Sequence, residues 1–155
     1  MTAKEEKIQG DLTAKFSFLA DKVRIQRERR IFSDVPAANL RDVLDYAIKN
    51  LEFKFLCTIT GLDEGEDLSF IYHLIRQDGI VLNLKISVPK NNPVIKTITD
   101  YFKVAEIYER EVMDLLGAKV EGLPEGKRYP LPDDWPEGEY PLRKDWKKKQ
   151  GEKNA

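Results

Sequence analysis

The sequence predicts an α+β domain, in which an antiparallel sheet packs on helices, followed by an extended C-terminal tail rich in proline and aromatic residues. Three consecutive segments with alternating apolar residues and short links predict an antiparallel meander. The last third carries five of the eight prolines and both tryptophans, a composition that fits neither an interior helix nor a central strand. We place the domain at residues 1–117 and the tail at residues 118–155.

Composition limits the classes of partner. At 155 residues, 41% of them hydrophobic, the chain can bury one core. Its formal net charge of −1 lacks the basic excess that nucleic acid or an anionic membrane usually requires of a partner. No apolar run approaches the roughly 18 residues of a membrane span, and the N-terminus lacks the apolar core of a signal peptide. We therefore expect a cytoplasmic protein.

The chain has one cysteine, Cys57, and one histidine, His73. An iron–sulfur cluster or a structural zinc ion needs about four such ligands, so we expect this chain alone to hold neither of these two metal centres. Cys57 alternates with Phe53, Phe55 and Ile59, and we interpret it as a buried small hydrophobic residue rather than half of a catalytic pair. We interpret His73 as a packed or hydrogen-bonded histidine.

The first half of the domain is predicted to contain two helices and one strand. Apolar residues of segment 3–20 fall on one helical face, and those of segment 36–51 recur three or four residues apart after Pro36. Between these two segments, apolar and polar residues alternate over residues 21–35, which include a run of arginines at 24–30. We predict a solvated edge strand there, and the alternative is a patch that binds an anion or a partner.

The meander is predicted over residues 53–60, 69–76 and 80–88, with a loop at 63–67 and a hairpin at Asp78-Gly79. Strand 69–76 is apolar on both sides, which indicates a central position or a second covered face. Asn92-Pro93 predicts the start of a helix over residues 93–102. A further helix over residues 105–116 is predicted to end at Gly117.

The helix over residues 105–116 carries charged residues at Glu106, Glu109, Arg110, Glu111 and Asp114. Spacing of four residues predicts a ladder of ion pairs from Glu106 through Arg110 to Asp114. We expect Glu111 near the buried side, where a tail residue such as Arg143 or Lys144 would neutralise it. Paired carboxylates also serve in acid–base catalysis, but without a pocket we favour an interface and predict no catalytic residue.

The predicted tail is rich in aromatic residues, whereas a disordered linker would be poor in them. A rigid backbone that carries large rings suits a segment that lies on another surface. That surface is either the protein's own domain or a partner, and we favour a partner because the domain is short. The predicted partner-binding residues are Glu109, Arg110, Glu111, Asp114, Tyr129, Trp135, Tyr140, Pro141, Leu142, Arg143, Lys144, Asp145 and Trp146.

Four sequence runs, Glu-Arg-Glu at 109–111, Asp-Leu-Leu-Gly at 114–117, Leu-Pro-Asp-Asp-Trp at 131–135 and Pro-Leu-Arg-Lys-Asp at 141–145, resemble the 30 kDa subunit of respiratory complex I. The same subunit occurs in membrane-bound, energy-converting hydrogenases, and the resemblance spans residues 20–146. Leu123-Pro124 stands where the family usually has His-Pro, so any role of that histidine is absent here. The form of residues 132–145 is closer to the hydrogenase branch than to the NADH:quinone branch.

The resemblance implies a structural subunit without a cofactor, attached to the cytoplasmic face of the cell membrane through its partners. The implied partners are the large subunit, [NiFe]-hydrogenase-like or 49 kDa-like, and a neighbouring iron–sulfur subunit. The complex would oxidise ferredoxin, reduce protons and translocate ions. The first alternative is the same role in an NADH:quinone oxidoreductase or a related complex. The others are a free-standing enzyme that uses the carboxylates of residues 106–114, and a nucleic-acid or adaptor domain that uses residues 24–30.

Overall fold

The structure, a computed structural model, describes residues 3–147; residues 148–155 of the predicted tail lie outside this range. The elements are α1 (Ala3–Lys15), β1 (Val23–Arg27), β2 (Arg30–Asp34), α2 (Leu40–Lys49), β3 (Phe55–Asp63), β4 (Asp67–Ile75), β5 (Val81–Pro89), β6 (Val94–Lys96), α3 (Ala105–Leu116) and β7 (Lys119–Glu121). Short 3-10 turns at Ser17–Leu19 and Ala37–Asn39 follow α1 and precede α2. The division of the chain after residue 117 stays a prediction, although β7 lies just beyond it.

Five strands form one sheet in the order β1-β2-β5-β4-β3, in which the β2–β5 pair is parallel and the other pairs are antiparallel. The α+β fold and the meander β3-β4-β5 are confirmed. The N-terminal strand is also present, but segment 21–35 contains a hairpin of two strands rather than one. Its turn places Arg29 in the left-handed region at a φ of 58°, so the arginine run falls on both strands and on the turn between them.

One face of the sheet is buried beneath the helices. Phe70, Tyr72 and Leu74 of β4 are fully buried on this side, as are Leu82 and Leu84 of β5. The predicted apolar stripe of α2 packs on the same core, which it enters through Leu40, Val43, Leu44 and Ala47. Burial of each large apolar side chain contributes about 1.5–3 kcal/mol, so this face supplies most of the stability of the fold.

The predicted helix over residues 93–102 is wrong. Residues 94–96 form β6, which pairs in parallel with β7, and the residues after it are turns. The amide of Thr97 donates to the Glu121 carbonyl oxygen at 2.9 Å, so the acceptor lies across the ribbon and not one helical turn back. Five of the six residues at 94–99 are β-branched, which favours extended backbone over helix when such partners are available.

The predicted burial of Cys57 is also wrong, because Cys57 is exposed. The β3–β4 register shifts between Leu56 and Thr58, which is a β-bulge. One extra residue reverses the alternation of side chains, so Leu56 and Ile59 are buried while Phe55 is 51% exposed.

The hydrogen-bonded interpretation of His73 is confirmed. Its Nδ1 lies 2.6 Å from Asn83 Oδ1, and its Nε2 lies 2.8 Å from Thr60 Oγ1. Asn83 Nδ2 donates to the Ile31 carbonyl oxygen at 2.9 Å. The Asn83 oxygen therefore acts as the acceptor, and His73 Nδ1 carries the proton that it accepts.

Helix α3 has the predicted bounds, and Gly117 ends it in the left-handed region at a φ of 78°. The helix packs against β3 at Gly61. A Cβ atom at position 61 would lie 3.2 Å from Val112 Cγ1 and still closer to the end of the Leu116 side chain. The absence of a side chain at Gly61 thus sets the distance between α3 and the sheet.

Gly61→Ala is expected to lower the free energy of unfolding by about 1 kcal/mol, because the added methyl group overpacks the contact with Leu116. Gly10→Ala is the matched control, since position 10 has open space and lies inside α1. It should stabilise the protein by about 0.5–1 kcal/mol. Urea unfolding of both variants measures the two changes in the free energy of unfolding. If both changes had the same sign, the close approach of α3 at Gly61 would be contradicted.

Candidate partner interface

Glu109, on α3, is buried and acts inside the protein. Its Oε1 accepts a hydrogen bond from the Ile98 amide and its Oε2 accepts one from the Thr97 hydroxyl, both at 2.7 Å. Burial raises the pKa of Glu109, while these two hydrogen bonds oppose the rise. The buried glutamate of this helix is therefore Glu109 and not Glu111, which is partly exposed. Glu109 fixes the segment after β6 against α3.

Glu109→Gln tests this role through the pH dependence of stability. The pKa of Glu109 is raised in the folded protein above its value of 4.5 in the unfolded chain. The contribution of Glu109 to stability is therefore complete below pH 4.5 and is lost as pH rises through the folded-state pKa. Glutamine keeps one acceptor and carries no charge. The free energy of unfolding of the variant, relative to the wild type, should therefore increase from pH 4.5 upwards in urea titrations. Glu109→Ala leaves the Ile98 amide unpaired and should be less stable than the wild type at every pH.

The predicted ladder on α3 is present only in its first half. Arg110 Nη2 donates to Glu106 Oε1 at 3.0 Å and also to the carbonyl oxygen of Pro124. Asp114 instead binds the tail, since its Oδ1 accepts from Arg128 Nε at 2.8 Å and its Oδ2 accepts from the Leu131 amide at 2.9 Å. Arg110 and Asp114 thus hold successive parts of residues 124–131 against the helix.

The C-terminal end of α3 binds a second part of the tail. The Leu142 amide donates to the Leu115 carbonyl oxygen at 3.0 Å, and Arg143 Nε donates to the Leu116 carbonyl oxygen at 2.7 Å. These carbonyl groups have no partner within the helix, and a cation there also meets the negative end of the helix dipole. The Arg143 guanidinium lies 4.7 Å from the centre of the Tyr140 ring.

Gly117 makes this arrangement possible. A Cβ atom at position 117 would lie 2.7 Å from Tyr140 Cζ and 2.8 Å from Arg143 Nη2. The glycine therefore has two functions, because it ends α3 in the left-handed region and leaves room for the tail.

A buried carboxylate that the sequence analysis missed, Asp63, holds the last described part of the tail. Asp63 Oδ2 accepts from Lys90 Nζ at 2.7 Å and from the Lys144 amide at 2.8 Å, and its Oδ1 accepts from the Gly65 amide at 2.9 Å. Lys90 Nζ also donates to Asp145 Oδ1 at 3.0 Å. Burial alone would raise the pKa of Asp63, but these donors outweigh it and lower the pKa to about 2.

No sequence signal identified Asp63 or Lys90 as tail contacts. Asp63 lies at the end of β3 in a segment that reads as an acidic loop, and its bond to Lys144 joins residues 81 positions apart. Periodicity and motif spacing report on near neighbours only, so a contact of this separation is visible only in the folded chain.

The two tryptophans pack together. The Trp135 and Trp146 rings lie 6.0 Å apart at an interplanar angle of 31°. The Trp135 indole donates to the Glu139 carbonyl oxygen at 2.8 Å, and the Trp146 indole donates to Glu139 Oε2 at 3.4 Å. Arg128 Nη1 joins this turn to the α3 contact by donating to the Trp135 carbonyl oxygen at 2.9 Å. Residues 128–146 therefore form a connected structure against the end of α3.

The predicted partner-binding residues differ in exposure. Two of them, Tyr129 and Leu142, are large apolar side chains that remain 46% and 55% exposed. Lys144 and Asp145 are also exposed, Glu109 and Asp114 are buried, and the rest are partly exposed: Arg110, Glu111, Trp135, Tyr140, Pro141, Arg143 and Trp146. The assignment of these residues to a partner stays a prediction. We call residues 128–146 together with the end of α3 the tail surface.

Neither a membrane span nor a metal site is found in residues 3–147. The helices there are too short and too polar to cross a bilayer. Within the same residues, no group of three or more histidine, cysteine, aspartate or glutamate side chains is arranged to hold a metal ion.

Subunits of two archaeal enzyme complexes are similar to this chain in sequence. The F(420)H(2) dehydrogenase of Methanosarcina mazei has a subunit that is 35% identical over 138 residues, which cover 87% of each chain. Membrane-bound hydrogenase subunit beta of Pyrococcus furiosus is 40% identical over 89 residues, 55% of this chain and 51% of the relative.

Solved structures share the fold. A chain of the membrane-bound sulfane sulfur reductase, an archaeal respiratory membrane complex, superposes with a TM-score of 0.81 at 31% identity and covers 93% of this chain and 86% of its own. A trypsin-resistant fragment of Nqo5 superposes with a TM-score of 0.66 at 25% identity, over 79% of this chain and 99% of the fragment. The family model of the respiratory-chain NADH dehydrogenase 30 kDa subunit matches residues 33–152. The chain therefore belongs to the family of the 30 kDa subunit of respiratory-chain NADH dehydrogenase.

Proposed function

We propose that this protein is a structural subunit, without a cofactor of its own, in the peripheral arm of a membrane-bound oxidoreductase complex. It binds the large subunit of that complex through the tail surface. The relatives named above support membership of such a complex, since they are subunits of a dehydrogenase, a membrane-bound hydrogenase and a respiratory membrane complex.

The observation that carries the proposal is the way the tail is held. Two buried carboxylates, Asp114 and Asp63, bind backbone amides of the tail at Leu131 and Lys144. These hydrogen bonds order the segment in the free protein, while Tyr129 and Leu142 stay exposed. An ordered segment that presents apolar side chains loses little conformational entropy when it binds. The tail surface is therefore suited to a stable protein partner.

We assign the complex to the hydrogenase type, in which a [NiFe]-type large subunit is the main partner and an iron–sulfur subunit lies next to it. This complex oxidises ferredoxin and reduces protons, and the protein is held at the cytoplasmic face of the membrane by its partners. The form of residues 132–145 and the 40% identity to the Pyrococcus furiosus hydrogenase subunit support this type.

The same structural role in a dehydrogenase complex, either an NADH:quinone oxidoreductase or a related complex, is the second candidate. The Methanosarcina mazei dehydrogenase subunit favours it, because that relative matches a larger share of this chain. A free-standing enzyme that uses the α3 carboxylates is disfavoured, since Glu109 and Asp114 already bind backbone amides and polar side chains of the protein itself.

Purification of the tagged chain from its native membranes, with identification of the co-purifying proteins, tests the proposal. A large subunit with the terminal cysteine pairs that bind a [NiFe] centre would support the hydrogenase type. A large subunit that lacks those cysteines would assign the dehydrogenase type. Recovery of the chain alone would overturn the structural role and redirect attention to α3.

A further inference from the structure

The sheet has a second face, which lies opposite the helices. Paired residues on neighbouring strands point to the same side, so the register defines this face. Phe55, Ile75, Val81 and Arg30 lie next to one another across β3, β4, β5 and β2. The next row contains Thr58, His73, Asn83, Phe32 and Arg24. Helix α3 packs at Gly61, which pairs with the buried Phe70 and belongs to the other side. We call the face that contains Phe55 and His73 the open face.

The half of the open face on β3 and β4, which we call the apolar half, carries a cluster of exposed apolar side chains with Thr58 and Thr60 among them. Phe55 and Leu62 of β3 are 51% and 38% exposed, and Ile71 and Ile75 of β4 are partly exposed beside them. The polar side chain at the centre, His73, has both ring nitrogens in hydrogen bonds within the sheet. It therefore imposes little desolvation cost on a partner that covers it. Clustered apolar exposure of this kind is typical of protein interfaces.

The half on β1 and β2 is basic. Arg24 pairs with Asp34 at 2.9 Å and lies 5.4 Å from the centre of the Phe32 ring. In contrast, no carboxylate within residues 3–147 forms an ion pair with Arg27 or Arg30. The open face thus combines the apolar half with a basic half, in which Arg24 is paired but Arg27 and Arg30 have no acidic partner among residues 3–147.

We propose that the open face is a second interaction surface, which binds a protein subunit that presents an apolar patch beside a cluster of acidic residues. Charge complementarity selects this occupant, because acidic side chains would pair with Arg27 and Arg30 while apolar ones cover Phe55. A second copy of this chain fits poorly, since a twofold axis would place the basic half on itself or on the apolar half. Nucleic acid is disfavoured because the apolar half offers nothing to phosphate groups and the chain has a net charge of −1.

The test introduces a photo-crosslinking amino acid at position 55 of the full-length chain in its native cells. The control is position 107, because Ile107 of α3 has the same exposed fraction, 51%. Position 55 is expected to crosslink to one protein with an acidic segment at the crosslinked site.

The crosslinking yield should fall by at least about tenfold in an Arg27→Glu/Arg30→Glu background and should also fall as salt is added. Arg27→Lys/Arg30→Lys keeps the charge and should retain the yield within about twofold. Unchanged thermal melting of the charge variants excludes loss of fold.

The inference would be overturned if position 55 gave no crosslink, or if the crosslinking yield did not depend on the charge at positions 27 and 30. A crosslink to RNA or to another copy of this chain would also overturn it. A partner that crosslinks equally from positions 55 and 107 would also overturn it. The outcome is separable from the proposed function. A charge-dependent acidic partner from outside any oxidoreductase complex would sustain the open face as an interface and contradict the proposed complex.

Discussion

Asp63→Ala is expected to lower the free energy of unfolding by about 3 kcal/mol and to release the end of the tail from β3. Alanine removes the acceptor of three donors at once, the Lys90 ammonium and the amides of Gly65 and Lys144. Each buried group left without a partner costs about 1–3 kcal/mol. Lys90 remains partly accessible and keeps Asp145, which reduces the total.

Asp145→Ala is the matched control for Asp63→Ala. It removes the exposed carboxylate of the same network, whose ion pair with Lys90 is screened by solvent and contributes little to stability. Urea unfolding gives the stabilities, and trypsin cleavage after Lys144 reports the release of the tail. Equal stabilities for the two variants would show that Asp63 does not hold the tail.

The same aspartate predicts a pH dependence. The folded-state pKa of Asp63, about 2, lies below its ordinary value of 3.8, so the stabilisation is complete above pH 3.8 and is lost as pH falls through about 2. The difference in unfolding free energy between the wild type and Asp63→Asn should be constant above about pH 5 and should shrink between pH 3.8 and 2. A difference that is the same at pH 2 and at pH 6 would contradict the role of the ionised carboxylate.

Asp114→Ala is expected to weaken binding of the proposed large subunit by about 10–30-fold. The substitution frees the Arg128 side chain and the Leu131 amide, so the segment that contains Tyr129 is no longer ordered before binding. The partner must then order it, and each immobilised residue costs on the order of 1 kcal/mol. A loss of 1.4–2 kcal/mol corresponds to roughly 10–30-fold in the dissociation constant.

The measurement is a competition between the variant and the wild-type chain for complexes that lack this subunit. Asp133→Ala serves as the control, because it removes an exposed carboxylate from the same segment without touching the contact to α3. It should compete as well as the wild type. If Asp114→Ala also competes fully while proteases cut the released segment, the ordered tail contributes nothing to binding.

Local patterns predicted the elements whose partners are near in sequence. The period of apolar residues located α2 and α3, and the glycine at 117 marked the end of α3 because only glycine adopts a left-handed conformation there without strain. Alternation located the meander within a few residues, although the extra residue of the bulge in β3 reversed the expected burial of Cys57.

The sequence indicated that the tail lies on a surface, but it did not indicate which residues the tail contacts. Proline, tryptophan and tyrosine in the last third indicated a segment that lies on a surface, and the acidic helix indicated where charges gather. Which carboxylate is buried depends on the orientation of α3 about its own axis where it packs against β3 at Gly61. In the observed orientation, Glu109 lies inside the protein and Asp114 lies against the tail.

By itself, the sequence determined the class of the fold, the position of α2, α3 and the meander, and the family, because these depend on spacings of a few residues and on fixed motifs. The tertiary structure alone decided three features: the extended backbone at 94–96, the hold of Asp63 on Lys144, and the apolar and basic halves of the open face. Each depends on groups brought together from distant parts of the chain. Their hydrogen bonds and burial outweigh local preference, which differs between helix and strand by only about 1 kcal/mol per residue.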